Sequence, residues 1–467
     1  MTKGDPALKI GILGAGDRGR QYAGYCRSHP REAQVVAVAD PSLARRRRFC
    51  EAHEVPPEAS FASWEQLLDR ARNIDAVVIA TPDRLHVAPA LRALELGYEI
   101  LLEKPIAPTK EEVLRLAGAA ARVSGSVTVA HVLRYTPFFR RIKKMVDGGR
   151  IGHLVSIQWA ENIGFWHFAH SYVRGNWGSS AGSSPMILAK ACHDMDMLRW
   201  LVGSPWKQIS SFGDLTLFRQ DRAPSGAPER CIEGCPVYET CPFNAVTFYV
   251  DGLAGYDGWP VTVLSEDTGR ESLLEALRHG PYGRCVYRCD NDVVDHQVVN
   301  VAFANGVTAA LSVCAATSEN TRTLKIMGSR GEIRGHLENG EIELRTFEAA
   351  PPRPRPAGSG REQDLQTWFT SKTVHVPAEV GHAGGDEGLM RAFVERARRG
   401  SAGERLEEAA TSLAESLDSH FMAFAAEESR LGGRVVAADS WAMPDPRSGG
   451  AGPGRPDGRE RRPSSFE

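Results

Sequence analysis

Over residues 8–130, short apolar runs alternate with stretches whose apolar positions recur every three to four residues. The runs Leu8–Leu13, Gln34–Ala39, Asp75–Ala80, Tyr98–Leu102 and Ser126–Ala130 predict strands. The stretches Arg18–Ser28, Ser42–His53, Trp64–Arg70, Arg84–Leu96 and Lys110–Val123 predict helices. Strands this apolar are covered on both faces, and helices between them make the sheet parallel. The expected unit is a doubly wound α/β domain over residues 1–130, of the Rossmann type, with its ligand at the carboxyl ends of the strands.

Beyond residue 130 the pattern changes. A crossing segment leads into a helix whose core positions are Phe138, Ile142 and Met145. Leu154–Ala160, Val298–Phe303, Val307–Val313, Leu324–Met327 and Ile342–Thr346 predict strands, with a hairpin turn at Asn305-Gly306. These belong to a second α/β domain over residues 131–443. Ala349–Arg361, rich in Pro, Gly and Arg, reads as an exposed loop. Asp386–Arg399 and Ala402–Leu431 read as returning helices. Residues 444–467 have almost no apolar positions and are expected to be a disordered tail.

The first strand runs into a glycine-rich turn, Gly14-Ala15-Gly16-Asp17-Arg18-Gly19. Gly14 permits the sharp turn, Gly16 lets backbone N–H groups approach a pyrophosphate, and Gly19 lets the helix pack on its strand. The helix N-terminus adds unpaired N–H groups and a partial positive charge. The second strand ends in Asp40, twenty-one residues beyond Gly19, where a carboxylate binds the ribose hydroxyls of an adenosine. The dinucleotide expected here is NAD. Arg45-Arg46-Arg47-Arg48 keeps NADP possible, but Asp40 repels its extra phosphate.

A net charge of −2 on 467 residues gives no whole-molecule field to draw nucleic acid or a membrane surface. No apolar run reaches membrane-spanning length, and the N-terminus lacks the core of a signal peptide. Nine cysteines without an export signal point to reduced thiols in the cytoplasm.

Three further strand-end features converge. Ala80-Thr81-Pro82, followed by His86, ends the third strand; Glu103-Lys104-Pro105 ends the fourth; His193-Asp194 opens an apolar helix. With the glycine-rich turn, this set resembles the Gfo/Idh/MocA family of sugar and cyclitol oxidoreductases, from about Leu8 to Gly433. The resemblance implies a Rossmann domain followed by an α/β domain with a large, open, mostly antiparallel sheet. It also implies a homo-oligomer, dimer or tetramer, and a small sugar-like substrate. The expected cofactor contacts are Gly14, Gly16, Asp17, Arg18, Gly19, Asp40, Thr81, Pro82, His86, Glu103 and Lys104.

Oxidising a secondary alcohol requires a hydride acceptor and a base for the hydroxyl proton. Lys104, at a strand carboxyl end, is expected to hold the hydroxyl or relay its proton, a role the resemblance also implies. His193 is the expected base, with an ordinary pKa of ~6.5. Many family members carry an Asp four residues before this His; here that position is Ala189, and Lys190 lies three before. Lys190 is expected to share a helix face with His193, lowering its pKa or contacting substrate. Trp166, His170, Tyr172, Arg174 and Trp177 are candidates for substrate binding, their alternative being burial between domains. Asp292, Asp295 and His296 either line the pocket or pair on a solvated strand.

An insert over about residues 219–290 carries Cys231, Cys235, Cys241, Cys285 and Cys289. Such a set can hold zinc or an iron–sulfur cluster, or be incidental free thiols. The functional expectation is an NAD(P)-dependent oxidoreductase of sugars, glycosides or cyclitols. The alternatives are an NAD-retaining enzyme that cleaves glycosides through transient oxidation, and a non-catalytic NAD-binding regulator.

Overall fold

A computed structural model describes residues 6–123, 126–349, 368–377, 380–401 and 411–441. The tail, nearly all of the expected loop Ala349–Arg361 and the start of the expected Ala402–Leu431 helix lie outside the described residues.

Six parallel strands form the first sheet: β1 (Leu8–Leu13), β2 (Ala33–Ala39), β3 (Ser60–Phe61), β4 (Ala76–Ile79), β5 (Glu99–Leu102) and β6 (Val127–Val129). Their order is β3-β2-β1-β4-β5-β6, so the sheet reverses direction next to β1, beside the glycine-rich turn. Side-chain caps start three of its helices: Ser42 accepts from Arg45 N, Ser63 from Gln66 N and Thr109 from Glu112 N. The helix Asp17–Ser28 differs. Its cap is Gly16, with no side-chain hydrogen bond, which leaves its first N–H groups to a ligand.

Nine strands form the second sheet: β7 (Leu154–Gly164), β8 (Trp206–Asp214), β9 (His296–Phe303), β10 (Thr308–Thr317), β11 (Thr321–Gly328), β12 (Gly331–His336), β13 (Glu341–Phe347), β14 (Phe369–His375) and β15 (Val436–Ala437). The order is β14-β13-β12-β11-β7-β10-β9-β8-β15, and every pair is antiparallel except β7–β10. This is the expected open, mostly antiparallel sheet.

One hydrophobic core runs through both sheets, from Leu13, Ile79 and Leu102 to Ile157, Val299, Leu311 and Ile326. The helix Val380–Ser401 returns to the first sheet, burying Leu389 and Phe393 against Ile10 and Tyr22. The insert has a small core of its own, built on Tyr249, Val261, Leu273 and Leu277.

Candidate active site

At the glycine-rich turn the geometry matches the turning and packing roles of Gly14 and Gly19. Gly14 has φ +100°, and a Cβ there would meet the Ala80 carbonyl oxygen at 2.4 Å. A Cβ on Gly19 would fall 1.9 Å from the Gly14 oxygen, while Gly16 faces open space, as an approaching phosphate needs. Asp40 is buried at the end of β2; its Oδ2 accepts from Ala15 N at 2.9 Å and its Oδ1 from Ser42 N at 2.8 Å. The arginine run turns away from that carboxylate: Arg46 donates to the Asp40 carbonyl, and Arg45, Arg47 and Arg48 are exposed. Asp17 stays at the exposed first turn of its helix, 3.9 Å from Arg20.

Three expected cofactor contacts, Arg18, Glu103 and His86, are already engaged elsewhere. Arg18 is clamped between Glu103 (2.6 Å) and Asp386 (2.6 Å), and Glu103 also accepts from the Tyr22 hydroxyl at 2.5 Å. The Arg18 guanidinium and Lys104 hold the Glu103 carboxyl below its ordinary range against the effect of burial. The pair locks the β5 end to the first helix. His86 is buried too. Its Nδ1 lies 2.7 Å from the Pro105 carbonyl and its Nε2 2.8 Å from the Thr81 carbonyl. With both nitrogens committed to backbone, His86 shapes the Thr81-Pro82 and Lys104-Pro105 turns rather than touching a ligand.

Lys104 leaves β5 and crosses the seam between the sheets, donating from Nζ to the Ala189 carbonyl at 2.8 Å. The loop behind it is fixed by His420, whose Nε2 accepts from Ile106 N at 2.9 Å and whose Nδ1 lies 2.9 Å from the Ser416 carbonyl. His193 stands in the helix Cys192–Val202, buried, with Nδ1 free of any hydrogen-bond partner among the described residues. Burial lowers the His193 pKa well below 6.5, and the charge of Lys104 lowers it next. His131, itself pushed down to about 4 by burial, stands 5.8 Å away, ring to ring, and His382 stands at 6.3 Å.

Lys190 corrects the sequence reading. A short helix, Met186–Ala189, ends before it, and the next starts at Cys192, so Lys190 and His193 do not share a helix face. Its Nζ instead meets Glu161 at 3.2 Å, and Lys190 is not among the charges that chiefly act on His193. Burial lowers the Lys190 pKa, with Glu161 opposing that shift. Glu161 also pairs with Arg322 at 2.8 Å, and Arg322 binds Asp194 at 2.7 Å, which in turn accepts from Trp159 Nε1 at 2.8 Å. This buried chain of charges was not foreseen. Its members are scattered over β7, β11 and one helix, with no local spacing to announce them.

The aromatic segment divides. Trp166 packs against His167, Phe248 and Trp259, so the segment after β7 and the insert build one aromatic wall together. His167, next to a predicted residue, is the histidine on which Lys190 acts, and it lies 2.8 Å from Asn320. Tyr172 is buried, stacked on Phe168 and tilted against Trp177, with Glu161 and Asp83 the nearest acidic charges. His170 and Arg174 face away. His170 Nδ1 lies 2.7 Å from the Tyr249 hydroxyl, and Arg174 donates to the carbonyls of Arg284 and Phe243, both at 2.7 Å. Both are buried, and their recorded hydrogen bonds go to residues of the insert. Asp292 and Asp295 hold distant loops: Asp292 accepts from Ser180 N, and Asp295 from Thr216 N and Leu217 N, with its neighbour His296 also beside it.

Residues 8–131 match the model of the GFO_IDH_MocA oxidoreductase family's NAD-binding Rossmann fold, and residues 143–414 match that of its C-terminal alpha/beta domain. The chain belongs to the Gfo/Idh/MocA oxidoreductase family. It is 28% identical to the oxidoreductase YteT of Bacillus subtilis over 75% of this chain and 79% of that protein. It is 27% identical to an inositol 2-dehydrogenase of Corynebacterium glutamicum over 42% of this chain, spanning 55% of that relative's length. A levoglucosan dehydrogenase solved with NADH shares the fold at TM-score 0.65 and 19% identity, covering 92% of this chain and 99% of that one. As in that family, the Rossmann domain binds a nicotinamide dinucleotide for oxidoreduction. No helix among the described residues is long and apolar enough to cross a membrane.

Proposed function

We propose that the chain oxidises a secondary hydroxyl of a sugar, glycoside or cyclitol with NAD, less readily with NADP. The observation that carries this reading is the place of Lys104, which donates to the Ala189 carbonyl beyond the carboxyl end of β5 and whose charge, after burial, most lowers the pKa of His193. When bound, the dinucleotide supplies the hydride acceptor. Gly16 and the uncapped helix end hold its pyrophosphate, and Asp40 its ribose hydroxyls. Lys104 donates a hydrogen bond to the substrate hydroxyl and lowers its basicity. His193, neutral at working pH, accepts the hydroxyl proton. Lys190, held by Glu161, offers a second cationic donor to a substrate oxygen, and the wall of Trp166 and Trp259 packs the apolar face of the ring.

The relatives named as inositol and levoglucosan dehydrogenases support this substrate class. We further infer a cytoplasmic homo-oligomer: none of the nine cysteines is in a disulfide, and the second sheet exposes Val155, Phe212 and Val298.

The test is a panel of sugars, glycosides and cyclitols, followed by NADH absorbance and product analysis. One NADH per oxidised hydroxyl supports the proposal. Glycoside cleavage without net NADH would replace it with redox-neutral elimination, and inertness across the panel would favour a binding role.

A further inference from the structure

Among the described residues no group of three or more His, Cys, Asp or Glu is set to hold a metal ion, and the cysteines of the insert are free thiols. The unpaired buried groups that bear on chemistry lie elsewhere, around His193. His131 follows the carboxyl end of β6, the strand beside the one that ends in Lys104. It is 0% exposed, and among the described residues neither of its ring nitrogens has a hydrogen-bond partner. Burial keeps this ring neutral, and a neutral imidazole carries one N–H donor and one lone pair. Shutting both away unpaired is costly, so the ring calls for partners.

Its surroundings narrow the choice. His420, in the helix Leu413–Gly432, stands 5.6 Å away ring to ring, but its two nitrogens already meet Ile106 N and the Ser416 carbonyl. At the β5 end, Lys104 Nζ donates to the Ala189 carbonyl, and Glu103 accepts from Arg18 and Tyr22. Asp196 Oδ1 lies 3.9 Å from His131 Nε2, in a carboxylate clamped by Arg134 at 2.6 and 2.7 Å. His193 is the remaining neighbour, edge to face at 5.8 Å and 78°. Two imidazoles in line across a hydrogen bond have centroids roughly 5 Å apart, so a shift of about an ångström joins them. His193 is complementary. Its Nδ1 is enclosed without a partner, while its Nε2 is not among the enclosed atoms. The other groups that face it are committed: His382 Nδ1 lies 2.9 Å from Asp386, and Arg322 is held by Asp194 and Glu161.

We propose that His131 is a positioning residue for His193: its Nδ1 accepts the Nδ1–H of His193, and its own Nε2–H points to Asp196. This rests on the reading of His193 as the base. A histidine whose Nδ1 holds the proton has its lone pair on Nε2, the nitrogen left open to the site. His131 fixes that tautomer. The hydroxyl proton is taken at Nε2 and leaves from Nε2 to solvent once product departs, while the Nδ1 proton stays in place. The imidazolium formed in between keeps an acceptor at Nδ1, backed by the Asp196 carboxylate.

The experiment is nitrogen NMR of the full chain carrying isotope-labelled histidine, at neutral pH, with the His193 signals assigned by their loss in His193→Gln. The expected result is a proton on Nδ1 and a bare Nε2 in the wild type, a mixture of tautomers in His131→Leu, and the wild-type tautomer again in His131→Asn, whose Oδ1 replaces the lost acceptor. On the substrate found in the panel, kcat of His131→Leu falls about ten- to hundredfold with KM for NAD unchanged. Its acidic limb moves to lower pH, because the imidazolium of His193 has lost an acceptor. His131→Asn restores most of both. A wild-type tautomer and limb in His131→Leu overturn the proposal, as does an equal rate loss in His131→Leu and His131→Asn. Should His131→Leu fail to fold, the wild type decides alone: His193 protonated on Nε2 overturns it. A panel without turnover tells against the oxidoreductase reading, while the nitrogen signals still test the hydrogen bond.

Discussion

Removing the ammonium of Lys104 takes away the charge that, after burial, most lowers the basicity of His193. A lowered pKa keeps His193 neutral below pH 6.5, so the acidic limb of the kcat/KM profile of the wild type lies below that value. Lys104→Met removes a positive neighbour, raises the His193 pKa and moves the limb to higher pH, with kcat down about a hundred- to ten-thousandfold. Lys190→Met differs. Its charge is not a principal influence on His193, so the limb stays and KM rises as a substrate contact is lost. A shifted limb in Lys190→Met would contradict this division of roles. At this scale the sequence exposed Gly14, Asp40, Lys104 and His193, because strand ends and tight turns carry local signatures. It hid the Glu161–Arg322–Asp194 chain, which only the pairing of β7 with β11 assembles. It misplaced His170 and Arg174 because aromatic and basic side chains look alike whether they meet a substrate or fill a core.

Helix Leu413–Gly432 acts on the site through one side chain, His420, which ties the helix to the loop after β5. Burial pushes His420 down to about 3 and His131 to about 4. The unfolded chain binds protons at these histidines below pH 6.5 while the fold does not. Stability therefore falls as pH drops from about 6.5 towards 4. Melting temperatures across that range check it; the decline should be shallower in His131→Phe once its own pH-independent change is subtracted. The first sheet carries a second element-scale prediction. Asp40→Ser removes the carboxylate at the β2 end, so NAD binding weakens roughly ten- to hundredfold and the bias against NADP shrinks. Equal affinity of the wild type for both dinucleotides, by titration calorimetry, would sink that argument. Five of the six parallel strands were legible because they are short, apolar and separated by helices; the two-residue edge strand β3 was missed. β8, β12, β14 and β15 were not, since alternating or glycine-bounded strands of two to nine residues leave a weak trace.

As a whole, the largest core is shared by the two sheets, so the site lies in a seam that neither sheet forms alone. The open sheet gives the assembly prediction a specific address. Phe212 and Val298 are cross-strand neighbours on β8 and β9, 68% and 42% exposed. Such a pair is unusual on a free surface and suits a two-fold contact between identical sheets. Phe212→Asp should convert a dimer or tetramer into smaller species by light scattering; a wild-type monomer at micromolar concentration would contradict the assembly. The central claim is narrower: Lys104 and His193 perform the proton chemistry, while the glycine-rich turn and Asp40 hold the dinucleotide. The most direct measurement is turnover of His193→Ala on the substrate found in the panel, alongside its NAD affinity. The account predicts kcat lower by about a hundred- to ten-thousandfold with NAD affinity nearly unchanged. Near wild-type turnover, or a loss of NAD binding that matches the loss of rate, would contradict it.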